Sequence, residues 1–108
     1  MRIYIAGPMT GVANDNRDAF NQVAKSLAGR GYIVLNPATL PPGLTQYQYM
    51  DICFAMLRAA DCIFLLPGWK HSAGATAEYH YAYKMAIPTF NDLDTMPVIE
   101  QTVNSTLV

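Results

Sequence analysis

Apolar positions along the chain fall into short continuous runs that alternate with longer segments of helical period. Ile3–Ala6 is an apolar run ended by Gly7-Pro8, the pattern of a buried first strand. After a loop over Met9–Asn14, Phe20, Val23, Ala24 and Leu27 form a stripe at three- and four-residue spacing. The stripe predicts a helix capped by Asn14 or Asp15 and running to about Arg30, with Gly29 and Gly31 bracketing its end. Tyr32–Leu35 reads as a second strand, stopped by Asn36-Pro37, and Pro41-Pro42-Gly43 belongs to an irregular loop.

A second helix is expected over Gln46–Ala59, with Tyr49, Ile52, Cys53, Met56 and Leu57 on its apolar side. Asp61 then precedes Cys62–Leu66, a continuous apolar run that suits a strand covered on both faces. Ser72 opens a third helix reaching about Met85, Ile87–Phe90 is a fourth strand, and Asn91-Asp92 makes a polar turn. In the tail, Pro97 is expected to open a final helix to about Asn104, with Val98, Ile99 and Val103 packing inward.

Strands alternating with helices imply an α/β domain with a parallel sheet of four to five strands and right-handed crossovers. No repeat, linker or low-complexity tract divides the chain, so residues 1–108 are read as one domain. In such folds ligands sit beyond the carboxyl ends of the strands. The polar loops after Ala6, Leu35 and Leu66 all emerge at that edge, which places a site there without naming its chemistry.

Composition narrows the classes. A charged fraction of 14% is low and leaves room for a buried face between copies, although a thick core gives the same figure. Net charge is −1 with no basic run, which disfavours duplex nucleic acid as a partner. No apolar run approaches ~18 residues, so no membrane span is expected. The start, Met1-Arg2-Ile3-Tyr4, enters a strand pattern directly and lacks a signal-peptide layout. Cys53 and Cys62 lie in apolar segments without metal-type spacing and read as reduced core thiols of a cytoplasmic protein.

The candidate chemistry concentrates in Leu65–Tyr83. The chain turns through Pro67-Gly68 and enters a helix at Ser72, whose hydroxyl can accept from the free amides of the first turn. Ala73 and Gly74 leave that turn bare, open to an anion or a sugar hydroxyl. Glu78 follows about 1.7 helical turns after the cap, among the small residues Ala75, Ala77 and Ala82 and the aromatic Tyr79, Tyr81 and Tyr83. It is either an exposed helix carboxylate or a functional acid. Tyr4 is either a core residue or a phenol reaching a carboxylate at the strand edge, since a buried hydroxyl needs a partner. Asp61 reads as a turn or capping residue. Asp51 is a possible second acid or a polar helix position.

His71 and His80 lack the i, i+3 or i, i+4 spacing of helical metal ligands, and no metal or cofactor is expected. Gly7-Pro8-Met9-Thr10-Gly11 is not a dinucleotide fingerprint, and no Gly-Lys-Ser phosphate loop is present. No acid–His–Ser set can be picked out.

Ile3-Tyr4-Ile5-Ala6-Gly7-Pro8, Ala60-Asp61, Leu65-Leu66-Pro67-Gly68-Trp69 and Ser72-Ala73-Gly74-Ala75-Thr76-Ala77-Glu78 together resemble the nucleoside 2-deoxyribosyltransferase superfamily. Within it the chain looks most similar to the small DUF4406 branch, common in phages and prophages, over about residues 1–92. The resemblance implies a flavodoxin-like three-layer fold and chemistry on the N-glycosidic bond of 2′-deoxynucleosides or their 5′-monophosphates. It puts Glu78 on the nucleophile and Tyr4 on the tyrosine that orients it. Ser72 falls where nucleotide hydrolases carry a phosphate-contacting serine, and Gly7, Pro8, Gly68, Trp69 and Gly74 are expected around the substrate. Trp69 and Tyr49 either stack on a base or pack as a hydrophobic lid. A small-molecule nucleoside or nucleotide is the implied partner, and a homodimer or homotetramer the implied assembly.

The sequence departs from that pattern in two places. The enzymes carry an aspartate eight residues before the one preceding the third strand, and here that position is Cys53. Asp51 is two residues further off, roughly 200° round a helix. The segment after Asp92 is also short, so residues that longer members lend across a subunit interface are expected to be missing. Three readings follow: an N-glycosidase or deoxyribosyltransferase, a nucleotide-binding protein that has lost turnover, and a structural partner of another protein.

Overall fold

The computed structural model describes residues 1–99. Four parallel strands, β1 (Arg2–Ala6), β2 (Ile33–Leu35), β3 (Cys62–Leu65) and β4 (Thr89–Phe90), form one sheet in the order β2-β1-β3-β4. Three helices connect them: α1 (Arg17–Gly29), α2 (Gln46–Arg58) and α3 (Ala73–Lys84). This is the flavodoxin-type doubly wound order, with its topological switch between β1 and β3.

Strand side chains alternate between faces, and the core divides accordingly. Ile3, Ile5, Cys62, Phe64 and Leu66 pack with Phe20 and Leu27 of α1 on one face. Tyr4, Ala6, Ile63 and Leu65 pack with Cys53 and Leu57 of α2 and Ala75 and Ala82 of α3 on the other. Because β1 and β3 are buried on both faces, they read as unbroken apolar runs. Each fully buried large aliphatic side chain contributes about 1.5–3 kcal/mol of burial free energy. At the amino edge, Asp61 accepts from the Arg2 amide at 2.8 Å and from its guanidinium at 3.1 and 3.2 Å, tying β1 to the entrance of β3.

The helix starts differ in an informative way. Thr45 and Gln48 form a reciprocal capping box at α2, and the Ser72 hydroxyl caps α3 by accepting from Ala75 at 3.2 Å. Neither Asn14 nor Asp15 caps α1. Asn14, Asp15 and Asn16 are consecutive left-handed residues, with φ of 52°, 53° and 61°, and α1 begins only at Arg17. Asn and Asp tolerate this conformation better than other residues.

Ile52, expected on the apolar side of α2, is exposed; the buried stripe is carried by Cys53 and Leu57. In the tail, Met96 is buried and the Ile99 amide donates to the Arg30 carbonyl at 2.7 Å. Pro97–Ile99 are irregular and Val98 is exposed, so no helix opens at Pro97. The rest of that expected helix, with Val103 and Asn104, lies outside the described residues. Among the described residues no helix is long and apolar enough to cross a membrane.

Candidate active site

A cavity of about 530 Å³ opens at the carboxyl edge of the sheet, beside the β1/β3 switch, within the size range of small-molecule sites. Gly7 and Pro8 from the end of β1, Pro37 after β2, and Ser72, Ala73 and Gly74 at the start of α3 contribute to its wall. Gly7 is required by a close approach. A β-carbon there would lie 2.7 Å from Leu66 Cβ, because the exits of β1 and β3 are pressed together. Gly68 makes the turn into α3 with a left-handed φ of 84°.

Tyr4, Glu78 and Cys53 meet between the sheet and the α2/α3 layer. Tyr4 points to that side because it is an even-numbered residue of β1. Glu78 lies on the buried face of α3 with Ala75 and Ala82, whose small side chains let the helix come close to the sheet. The Tyr4 hydroxyl donates to Glu78 Oε2 at 2.5 Å. Among the described residues this is the only hydrogen bond to the carboxylate. The Cys53 thiol sits beside both groups.

Burial controls the protonation of all three. Glu78 rises from its ordinary 4.5 to about 7 because burial disfavours the charged form, and the Tyr4 hydrogen bond only partly offsets this. The Tyr4 phenol is raised well above 10, mainly by burial and then by the adjacent Glu78 charge, so it remains a neutral donor. Burial likewise pushes the Cys53 thiol up to about 11. Near neutrality Glu78 is therefore the member of this trio that titrates.

The remaining expected residues separate into two groups. Gly7, Pro8, Ser72 and Gly74 line the cavity; Gly68 and Trp69 do not. Trp69 packs on Tyr79 with ring centroids 4.6 Å apart, and Gly68 sits against Pro8. Asp51 is exposed on another side of α2, in a shallow surface depression with Tyr47, Phe54 and Arg58, and does not reach Glu78.

Sequence reading passed over Gln46, Met50, Thr10, Asp15 and His71 as cavity residues. A signal for two of them was present. Gln46, Tyr49, Met50 and Cys53 recur at i, i+3, i+4 and i+7, one face of α2. Tyr49 is held there by its hydroxyl, which donates to the Pro41 carbonyl at 2.7 Å. Thr10 and Asp15 arrive through loop geometry that has no sequence period. Among the described residues no three His, Cys, Asp or Glu side chains gather as metal ligands.

Comparison with known proteins bears on the family and the fold. The model of a domain of unknown function, DUF4406, matches residues 1–90. A solved structure described as a 2-desoxiribosyltransferase from Leishmania mexicana superposes with a TM-score of 0.67 at 21% identity. The match covers 83% of this chain and 62% of that one, so the chain spans less than two thirds of its length. At that identity the likeness establishes a shared α/β fold. No curated protein matches the sequence.

Proposed function

The chain belongs to the DUF4406 family, and from that premise we propose that it cleaves or exchanges the N-glycosidic bond of a nucleoside or its 5′-monophosphate, with Glu78 as nucleophile. The observation that carries this reading is the buried Tyr4–Glu78 hydrogen bond on the wall of a cavity at the sheet switch point. A carboxylate desolvated in this way is costly to keep, and such groups concentrate at functional sites.

In the proposed reaction a Glu78 oxygen attacks the anomeric carbon and the base departs, leaving a glycosyl ester on Glu78. Water or a second base then takes the sugar, restoring the carboxylate. Dividing one displacement into two lowers each barrier. Tyr4 fixes the carboxylate by donating to Oε2, which leaves Oε1 to attack. Ser72 and the start of α3 provide donors suited to a 5′-phosphate.

The test is base release from a panel of 2′-deoxynucleosides and their 5′-monophosphates, followed by chromatography, with Glu78→Gln as control. Release that disappears in the variant supports the reading, and no release from any panel member or its base-modified analogues overturns it. A second reading has its own observation, Cys53 where a proton donor to the base is needed. The cavity would then bind a nucleotide without turnover, seen as thermal stabilisation by nucleotide with no product.

A further inference from the structure

Among the described residues no lysine or arginine lines the cavity; Glu78 projects from its buried side, and Asp15 at its exposed rim is 4.0 Å from the Arg17 guanidinium. The groups closest to Glu78 are Tyr4 and Cys53, neither of which gives up a proton readily near neutrality. The other titratable side chains on the wall are Asp15, His71 and Tyr49. Burial is the main cause of the raised Glu78 proton affinity, and the Tyr4 hydrogen bond offsets it in part. The site thus holds a carboxylate that can bond to a sugar and, among the described residues, no carboxyl or imidazole bonded to that carboxylate to protonate a departing base beside it.

A neutral base leaves as an anion unless it is protonated. A base that is already cationic leaves as a neutral molecule and needs no acid. We propose that the cavity takes N-glycosides whose base carries a fixed positive charge, such as an N-quaternised purine or a pyridinium. The inference rests on Glu78 being the group that captures the sugar. In the first step the C1′–N bond breaks, its electron pair passes to the ring nitrogen and cancels the positive charge, and a Glu78 oxygen bonds to C1′. In the second step water adds to C1′, the ester C–O bond breaks to return the carboxylate, and the proton of water goes to solvent. The bound cation also stabilises ionised Glu78 by direct attraction. The anchored Tyr49 ring on the same wall offers an aromatic surface to a cationic heterocycle.

The experiment compares release from guanosine with 7-methylguanosine, in ribo and 2′-deoxyribo forms, together with nicotinamide riboside, each corrected for spontaneous loss. A missing general acid is worth about 100-fold or more in rate. The cationic substrates are therefore expected to react at least about 100-fold faster than their neutral counterparts, with all release lost in Glu78→Gln. Cys53→Asp, which places a second carboxyl beside Glu78, is expected to raise neutral-base release and narrow that ratio. Comparable release of neutral and cationic bases by the natural protein, abolished in Glu78→Gln, overturns the inference while leaving the proposed function standing. No release from either class overturns both. Should Cys53→Asp fail to fold, affinity decides: nicotinamide riboside, cationic at every pH, must bind the natural protein more tightly than its neutral dihydro form, increasingly so as pH rises through about 7. Equal affinities across that range overturn the proposal.

Discussion

Replacing Glu78 by glutamine changes the electrostatics of the site while keeping its shape. The amide oxygen can still accept from Tyr4, so the hydrogen bond survives and the buried charge disappears. In the folded protein Glu78 holds its proton up to about 7, against an ordinary 4.5 when exposed. Below about pH 4 the carboxyl is protonated in both states and contributes no pH-dependent penalty. As pH rises from about 4.5 to about 7, the unfolded chain loses the proton first and the folded state becomes relatively less stable. Above about 7 the loss is complete and constant. At about 1.4 kcal/mol per pKa unit, the interval corresponds to roughly 3 kcal/mol.

Urea denaturation of the natural protein and Glu78→Gln between about pH 4.5 and pH 8.5 measures this directly. The variant should gain stability relative to the natural protein across that range, by on the order of 3 kcal/mol at the alkaline end. All other titrating groups are common to both proteins and cancel in the difference. Parallel profiles, with the same difference at both ends, would refute the reasoning. They would mean that Glu78 ionises in the folded protein as it does in the unfolded chain. The experiment needs no substrate and stands apart from the catalytic proposal.

Two further substitutions probe the frame that holds the site. Gly7→Ala puts a methyl group 2.7 Å from Leu66 Cβ, and the strand exits must separate; a loss of about 1–3 kcal/mol is expected in urea denaturation. Asp61→Asn removes the carboxylate that Arg2 holds down to about 2 from its ordinary 3.8. That contribution is present above about 3.8 and lost as pH falls through about 2. Because the pair is exposed, the difference should be under about 1 kcal/mol at neutral pH and vanish in acid melts.

The main elements were legible because their patterns are local. Apolar runs at β1 and β3, a 3.6-residue stripe in α1, the Ser72 cap of α3 and the left-handed Gly31 just past α1 each mark a structure by a few neighbouring residues. The left-handed Asn14–Asn16 turn was not legible, since Asn and Asp also make ordinary caps and only the surrounding packing chooses between them. Ile52 was misplaced because α2 is apolar around more than one face, so period alone does not say which part meets the sheet.

By itself the sequence determined the alternation of strands and helices, the single-sheet architecture, and Glu78 and Ser72 as the polar positions worth following on α3. Those features depend on residues close together in the chain. The tertiary structure decided which distant groups share an environment. Tyr4 and Glu78 are separated by 74 positions and meet in one hydrogen bond. Cys53 reaches them from α2, whereas Asp51, two residues away, faces elsewhere. Burial, which moves Glu78 to about 7, is a property of the assembled layers and of no segment alone. Residue type supplied the carboxyl, and packing against the sheet set its proton affinity.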